Sequence, residues 1–273
     1  MDRWQQRGVL ELFRLDGRVA VVTGGSGGLG FDAACALAEA GSDIVITSRS
    51  PDRAAEAAEA VRDQYGVDAL GLRMDQLHHE QVREMARKAG EWKGRIDVLV
   101  NNAGGGSGKG ECNLFAREPA DAATLIGTNL TGALYCSQEV ARIMVEHGSG
   151  KIINIASMAG LIGRDRSMYA RNDKMEQPID YAASKAGVIG MTRDLAGLLS
   201  PRGVNVNAIS PGGFDKGELP EGFVRDYGAA TMLGRMGRMG EDLKGAVLFL
   251  ASAASDYVTG HNLVVDGGFS VWK

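Results

Sequence analysis

Seven short runs of aliphatic and β-branched residues recur along the 273-residue chain: RVAVVT (18–23), DIVITS (43–48), DALGLRM (68–74), DVLVNN (97–102), KIINIAS (151–157), VNVNAIS (204–210) and NLVVDG (262–267). Longer helix-forming stretches separate them. A strand that is apolar throughout, rather than at every second residue, has both faces buried, and intervening helices supply the crossovers that parallel pairing requires. The pattern predicts an α/β fold, a doubly wound parallel sheet of about seven strands with helices on both faces. Ser50-Pro51 supplies an N-cap and a favoured first-turn proline for a helix through DRAAEAAEAVRDQYG that stops at Gly66, and a second helix is expected over 33–40, ended by Gly41. Strand runs continue to the end with no low-complexity linker and no repeat, so residues 1–273 are read as one domain.

Composition narrows the class of partner. With 44% apolar and 23% charged residues and a formal net charge of −4, the chain has the make-up of an ordinary globular protein. It has no long basic run of the kind that grips nucleic acid or an anionic membrane. Charges scattered through MDRWQQRGVLELFRLDGRVAVV argue against a signal peptide or a membrane span, and a cytoplasmic location is expected. Cys35, Cys112 and Cys136 are odd in number and widely spaced, which fits reduced cysteines, and neither they nor His78, His79, His147 and His261 have metal-ligand spacing. No metal is expected.

After the first run comes GGSGGLG, which sets Thr23-Gly24-x-x-x-Gly28-x-Gly30 at a strand-to-helix junction. Gly24 suits the tight turn, Gly28 lets backbone amides approach a pyrophosphate, and Gly30 lets the next helix pack close to the strand, as in a Rossmann-type nucleotide site. A second glycine-rich stretch, AGGGSGKGE (103–111), fails as an ATP-binding loop, because Ala103 stands where the first glycine belongs and Gly110 where Ser or Thr should hold magnesium. It is read as a loop at the edge of the site. The second run ends ITSRSPDR, with Ser48 where an acidic residue would bind both ribose hydroxyls and Arg49 next to it, so NADP(H) is favoured and NAD(H) is the alternative.

Tyr181 and Lys185 lie four residues apart in YAASKAGVIGMTRDLAGLLS, a spacing that puts both on one helix face. A phenol of pKa near 10 is a poor acid–base group at neutral pH, and lowering it by about three units takes roughly 4 kcal/mol of preferential phenolate stabilisation. An adjacent ammonium and a cationic nicotinamide ring could together supply that. Tyr169 instead has Asp173 at i+4, whose charge acts in the wrong direction.

These motifs resemble the short-chain dehydrogenase/reductase family over nearly the whole chain: TGGSGGLG, Asp75 after the third run, NNAG at 101–104, Asn129 in GTNLTGALY, Ser157 in INIASMAG, YAASK at 181–185, SPGG at 210–213 and TGHNLVVDGG. The resemblance implies an NAD(P)-dependent oxidoreductase that interconverts a secondary alcohol and a ketone. Tyr181 is then the proton donor and acceptor, Lys185 lowers its pKa and binds the nicotinamide ribose, Ser157 holds the substrate oxygen, and Asn129 holds a water leading to Lys185. Gly24, Ser26, Gly28, Leu29 and Gly30 would line the pyrophosphate turn, with Asp75 and Gln76 at the adenine and Asn102, Ala103 and Gly104 beside the adenosine ribose. Pro211, Gly212 and Phe214 would cover the nicotinamide. One departure weighs against NADP(H): many NADP-preferring members carry a basic residue just before the second motif glycine, where this chain has Gly27. A homotetramer is the family expectation.

Substrate choice is expected from two regions, the segment after SPGG, a mobile lid in the family, and the connection 158–180, about ten residues longer than is usual in the family. The latter is rich in charge of both signs, which favours a polar substrate, with Tyr169 or Arg171 touching it. LFRLDGRVAVVTGG and VDGGFSVW resemble members acting on sugar acids such as gluconate, so a sugar acid or polyol is expected. The alternatives are a 3-oxoacyl-thioester reductase of the fatty-acid synthesis type and, in a different class, a non-catalytic nucleotide-binding scaffold.

Overall fold

Strand β1 (Val19–Val22) is buried at every residue because its side chains alternate between two cores. Ala20 and Val22 enter one, and Val19 and Val21 the other. The computed structural model describes residues 7–105 and 110–272. Further strands β2 (Asp43–Ser48), β3 (Ala69–Arg73), β4 (Val98–Asn101), β5 (Gly150–Ile155), β6 (Val204–Pro211) and β9 (Asn262–Val265) complete a seven-stranded parallel sheet in the order β3-β2-β1-β4-β5-β6-β9. All seven coincide with the apolar runs. The remaining strands β7 (Phe214–Asp215) and β8 (Gly237–Arg238) form a two-residue ribbon.

Helices α1 (Gly28–Glu39), α2 (Pro51–Tyr65) and α9 (Lys244–Ala251) pack on the first core, and α3 (His79–Lys93), α5 (Gly132–Glu146) and α7 (Ile179–Leu199) on the second. This is the Rossmann-like α/β arrangement. Chain order reverses beside β1, whose neighbours are β2 and β4, so the loops leaving β1 and β4 diverge and open a crevice at the carboxyl edge of the sheet.

The α2 expectation matches closely: the Ser50 side chain accepts from the Arg53 N–H, and Gly66 closes the helix in the left-handed region. Helix α1, expected from residue 33, begins five residues earlier. Glycine is a weak helix former, so Gly28-Leu29-Gly30 does not look helical in isolation, and tertiary packing overrides that preference. The short helices α4 (Pro119–Ile126), α6 (Arg166–Ala170) and α8 (Glu221–Ala229) lie around the crevice. Only the ends of the 103–111 loop are seen, since residues 106–109 lie outside the described residues.

Candidate active site

The turn between β1 and α1 forms the floor of the crevice. Gly24 has φ +63°, a left-handed conformation that side-chain-bearing residues rarely adopt. Thr23 Oγ1 accepts from the N–H groups of Asn102 and Ala103, both at 3.0 Å, while Asn102 Nδ2 donates to the carbonyls of Thr23 at 3.0 Å and Gly24 at 3.2 Å. These bonds tie the loop after β4 to the glycine turn. A Cβ on Gly30 would lie 2.5 Å from the Gly24 carbonyl oxygen and closer still to Asn102 Nδ2, so only glycine fits. Beyond this floor, the first-turn N–H groups of α1 have no intrahelical acceptors, and the helix dipole favours an anion there. The residues fit a dinucleotide pyrophosphate. Leu29 packs on the first core, and Ser26 lies on the turn, half-buried.

Arg49 is exposed at the end of β2, and Ser48 Oγ accepts from the Ser50 N–H at 3.3 Å. The sequence rests the cofactor preference on Arg49 and assigns no cofactor role to Arg53, four residues later. Its guanidinium reaches back from the first turn of α2 to lie 3.3 Å from where a Gly27 Cβ would stand. A cation from α2 thus lies over Gly27, where the turn itself carries no basic residue. Lys216, from the segment after β6, similarly brings Nζ to 3.7 Å from a virtual Gly28 Cβ. Neither approach has a local sequence signal, because each spans a long separation along the chain.

Asp75 and Gln76 follow β3, and Asp75 Oδ1 accepts from the Leu77 N–H at 3.1 Å. The Gln76 side chain is buried, with Nε2 donating to the carbonyls of Ala103 at 2.8 Å and Thr128 at 2.6 Å, so it is the backbone of Gln76 that is left to meet an adenine. The side chain braces the wall of the crevice. Gly104 is held close to Asn129, whose amide clamps Gly105 from both sides: Oδ1 accepts from the Gly105 N–H and Nδ2 donates to its carbonyl, each at 3.0 Å. Asn129 sits in a π-helical turn, Gly127–Thr131, between α4 and α5, a local widening of the helix often found at functional sites. Its Nδ2 also lies 3.4 Å from Ser184 Oγ. In the structure its amide therefore bonds protein groups on three sides.

Ser157 follows β5, Tyr181 and Lys185 lie on α7, and the fold brings all three together. Ser157 Oγ accepts from the Ala159 N–H at 3.1 Å, and Lys185 Nζ lies over the Tyr181 ring, 5.9 Å from its centroid. Burial raises the Tyr181 pKa, and the nearby Ser157 hydroxyl and the Arg164 charge oppose it, with the shift remaining upward. Lys185 is buried, donates to the Ile155 carbonyl at 2.6 Å and has its own pKa pushed down to about 8 by that burial. Pro211 ends β6, the Gly212 N–H donates to the Val265 carbonyl at 2.9 Å, and the Phe214 ring covers Gly237.

The 158–180 connection folds over one side of this group as α6 and docks on α8. Met158, Met168, Phe223, Tyr227 and Met236 form a separate small core beneath it. Tyr169 packs on Phe223, with ring centroids 5.1 Å apart, and burial raises its pKa against the opposing charge of Arg164. The Tyr227 hydroxyl, from α8, accepts from the Gly213 N–H at 2.5 Å and donates to Met158 Sδ at 3.2 Å, joining the two segments expected to select substrate. Arg171, expected near the substrate, donates from Nε to Asp226 Oδ2 at 2.6 Å and from Nη1 to Ser167 Oγ at 3.1 Å, so it fastens α6 to α8. Asp173, with φ 47°, is the one non-glycine residue of positive φ among the described residues, where the chain turns after α6.

The family model described as enoyl-(acyl carrier protein) reductase matches residues 24–270. A 3-oxoacyl-(acyl-carrier-protein) reductase of Aquifex aeolicus is 36% identical over 259 residues, covering 93% of this chain and 98% of that protein. The 2-dehydro-3-deoxy-D-gluconate 5-dehydrogenase of Escherichia coli is 36% identical over 273 residues, covering 96% of this chain and 98% of that protein. Among solved structures, a gluconate 5-dehydrogenase from Burkholderia cenocepacia in complex with NADP and tartrate superposes with a TM-score of 0.87 at 37% identity, over 97% of this chain and 100% of that one.

Proposed function

Because the chain belongs to the short-chain dehydrogenase/reductase family and is an NAD(P)-dependent oxidoreductase, we propose that it prefers NADP(H) and acts on a polar secondary alcohol or ketone such as a sugar acid or polyol. The observation that carries this reading is the convergence of Ser157, Tyr181 and Lys185 beside the charged, polar 158–180 connection. Bound nicotinamide cofactor supplies or accepts the hydride. In reduction, the Ser157 hydroxyl donates to the substrate oxygen and Tyr181 gives up its phenolic proton to it, leaving a phenolate; in oxidation the phenolate takes the alcohol proton. Lys185, one turn along α7, contributes positive charge beneath the phenol and is the group to hold the nicotinamide ribose. Asn129 acts by holding the Gly105 loop in register with Ser184 on α7.

The preference for NADP(H) is supported by Arg49 and Arg53, neither of which forms an ion pair among the described residues, and by the NADP held by the Burkholderia relative. That relative also holds tartrate, a hydroxy diacid, which supports the polar-substrate reading. The same level of identity to a 3-oxoacyl-(acyl-carrier-protein) reductase favours thioester reduction as the second reading. We further read residues 1–273 as one catalytic domain acting in the cytoplasm as a homotetramer; exposed Met232, Leu233, Val271 and Trp272 support assembly, which light scattering would test. Among the described residues no helix is long and apolar enough to cross a membrane.

Turnover with NADPH and NADP against gluconate, 5-ketogluconate, polyols and acetoacetyl thioesters tests the reading, and activity on the thioester alone would sink it. Tyr181→Phe removes the transferable proton and is expected to lower kcat at least about a thousandfold while cofactor binding persists. Unchanged turnover by that variant would mean that another group supplies the proton, and would refute the role given to Tyr181.

A further inference from the structure

The turn at the end of β6 carries two consecutive glycines, Gly212 and Gly213, and the room they leave is filled by one ring from a distant helix. A Cβ on Gly213 would lie 2.7 Å from Tyr227 Cζ and 2.8 Å from Met236 Cε, and one on Gly212 would lie 3.3 Å from the Tyr227 hydroxyl oxygen. Tyr227 therefore packs directly on the backbone of this turn. It comes from α8, is buried, and has Phe269 stacked on it with ring centroids 4.6 Å apart.

The hydroxyl is committed at both ends. It accepts from the Gly213 N–H at 2.5 Å, which can only donate, so its own proton goes to Met158 Sδ at 3.2 Å. Burial pushes the Tyr227 pKa up, which keeps that proton in place. Met158 directly follows Ser157, in the short turn where Ser157 Oγ accepts from the Ala159 N–H. On the side of the sheet, the Gly213 carbonyl accepts from the Gly237 N–H at 2.9 Å and the Gly212 N–H donates to the Val265 carbonyl at 2.9 Å. These backbone bonds fasten the turn to β8 and β9. The Tyr227 hydroxyl fastens it toward Ser157. One side chain thus bridges the turn assigned to the nicotinamide and the loop that carries the substrate-binding serine, and its length sets their spacing.

We propose that Tyr227 is a positioning residue for hydride transfer, acting through Gly213 and Met158 to fix how far the nicotinamide stands from a carbonyl held at Ser157. This rests on the reading of Ser157 and Tyr181 as the reacting site of an NAD(P)-dependent oxidoreductase. Phenylalanine cannot substitute, because it leaves the Gly213 N–H facing a buried ring edge with no acceptor.

The test uses the full-length enzyme with Tyr227→Phe, and with Gly213→Ala as a second variant that pushes the same ring from the other side. NADPH binding is followed by fluorescence titration, and binding of 2′-phospho-ADP-ribose, which has the same phosphates and no nicotinamide, by calorimetric titration. Tyr227→Phe should weaken NADPH about 3- to 10-fold, the range of one lost hydrogen bond, and leave the nicotinamide-free analogue within about twofold. Turnover is measured with 5-ketogluconate and with acetoacetyl-CoA, using NADPH deuterated at the transferred position. For Tyr227→Phe, kcat should fall about 10- to 100-fold with KM within about threefold, the loss that a small misplacement of reacting atoms causes. The deuterium isotope effect on kcat should exceed that of wild type, because hydride transfer becomes slower than product release. Gly213→Ala should repeat the pattern. Equal weakening of NADPH and the analogue would overturn the assignment, as would a wild-type kcat and isotope effect in Tyr227→Phe, since a merely structural loss lowers Tm without singling out the nicotinamide. Wild-type turnover of acetoacetyl-CoA alone would bring down the polar-substrate reading, and Tyr227 would be judged on that ketone. No wild-type turnover of either would bring down both proposed substrates, and the two binding titrations would then decide the role of Tyr227.

Discussion

Replacing Gly30 by alanine probes the cofactor floor at its tightest point. The new Cβ would meet the Gly24 carbonyl oxygen at 2.5 Å and Asn102 Cγ at 3.0 Å, whereas an ordinary carbon–oxygen approach is about 3.3 Å or more. The obstacles are the backbone of the turn and an amide that donates to two carbonyls, so neither can swing away as the end of a flexible side chain could. Overpacking of this kind costs about 1–3 kcal/mol. Weakening the two Asn102 hydrogen bonds adds about 1 kcal/mol. A total of about 2–4 kcal/mol corresponds to a fall in Tm of about 5–15 °C for a chain of this size. Because the relaxation must move Gly24 or Asn102, NADPH affinity should also drop at least about tenfold, equivalent to about 1.4 kcal/mol. Differential scanning calorimetry without cofactor and fluorescence titration with it measure the two effects separately. Gly163→Ala, where nothing lies within 4 Å of the new Cβ, serves as the control and should melt within about 2 °C of wild type. A Gly30→Ala variant with wild-type Tm and wild-type NADPH affinity would refute the close-approach argument.

Three other outcomes are expected. Lys185→Met should abolish turnover yet raise stability: burial lowers the lysine from 10.5 to about 8, a penalty of about 3 kcal/mol at neutral pH, offset by about 1 kcal/mol for the orphaned Ile155 carbonyl. Wild-type stability should rise between pH 8 and 10.5, where the unfolded chain holds a proton that the folded one has lost, and a variant that kept that rise would contradict the assignment. Asp97 is pushed up by burial but pulled further down by Arg95, Arg18 and the Val19 N–H, so its contribution is complete above its unfolded value of 3.8 and is lost as pH falls through the lower folded value. Asp97→Asn should destabilise by about 2–4 kcal/mol at pH 7 and lose that acid-dependent component in urea titrations at several pH values. Arg53→Gln should weaken NADPH binding about 10-fold or more and leave NADH binding within about twofold, by analogy with a charge-assisted bond to the 2′-phosphate; equal losses for both cofactors would mean that the arginine only shapes the turn.

Features carried by local chemistry were legible in the sequence. Apolar runs such as DIVITS mark strands because burial on both faces demands it, and β2 spans the same six residues. Gly24 and Gly30 are where the backbone geometry excludes a side chain, and the i,i+4 pair Tyr181 and Lys185 shares a helix face whatever the surroundings. The start of α1 was missed because Gly28 and Gly30 are poor helix formers, and only packing against the sheet makes them helical.

Pairings between distant segments were not legible, because any of several charges could have served. Asp226 stands 55 residues from Arg171 and claims it through α8, leaving Arg164 as the arginine without an ion pair in its segment. Arg53 fills space above Gly27 that the turn itself leaves empty, and Gln76 faces inward because the carbonyls of Ala103 and Thr128 need a buried donor. The sequence by itself determined the sheet, the glycine turn and the residues able to transfer a proton, since periodicity and spacing act over one turn or one strand. Which cation lies over the glycine turn, which stays without an ion pair among the described residues and which fastens α6 to α8 was decided by tertiary structure, because charge pairing depends on distances that only the folded chain sets.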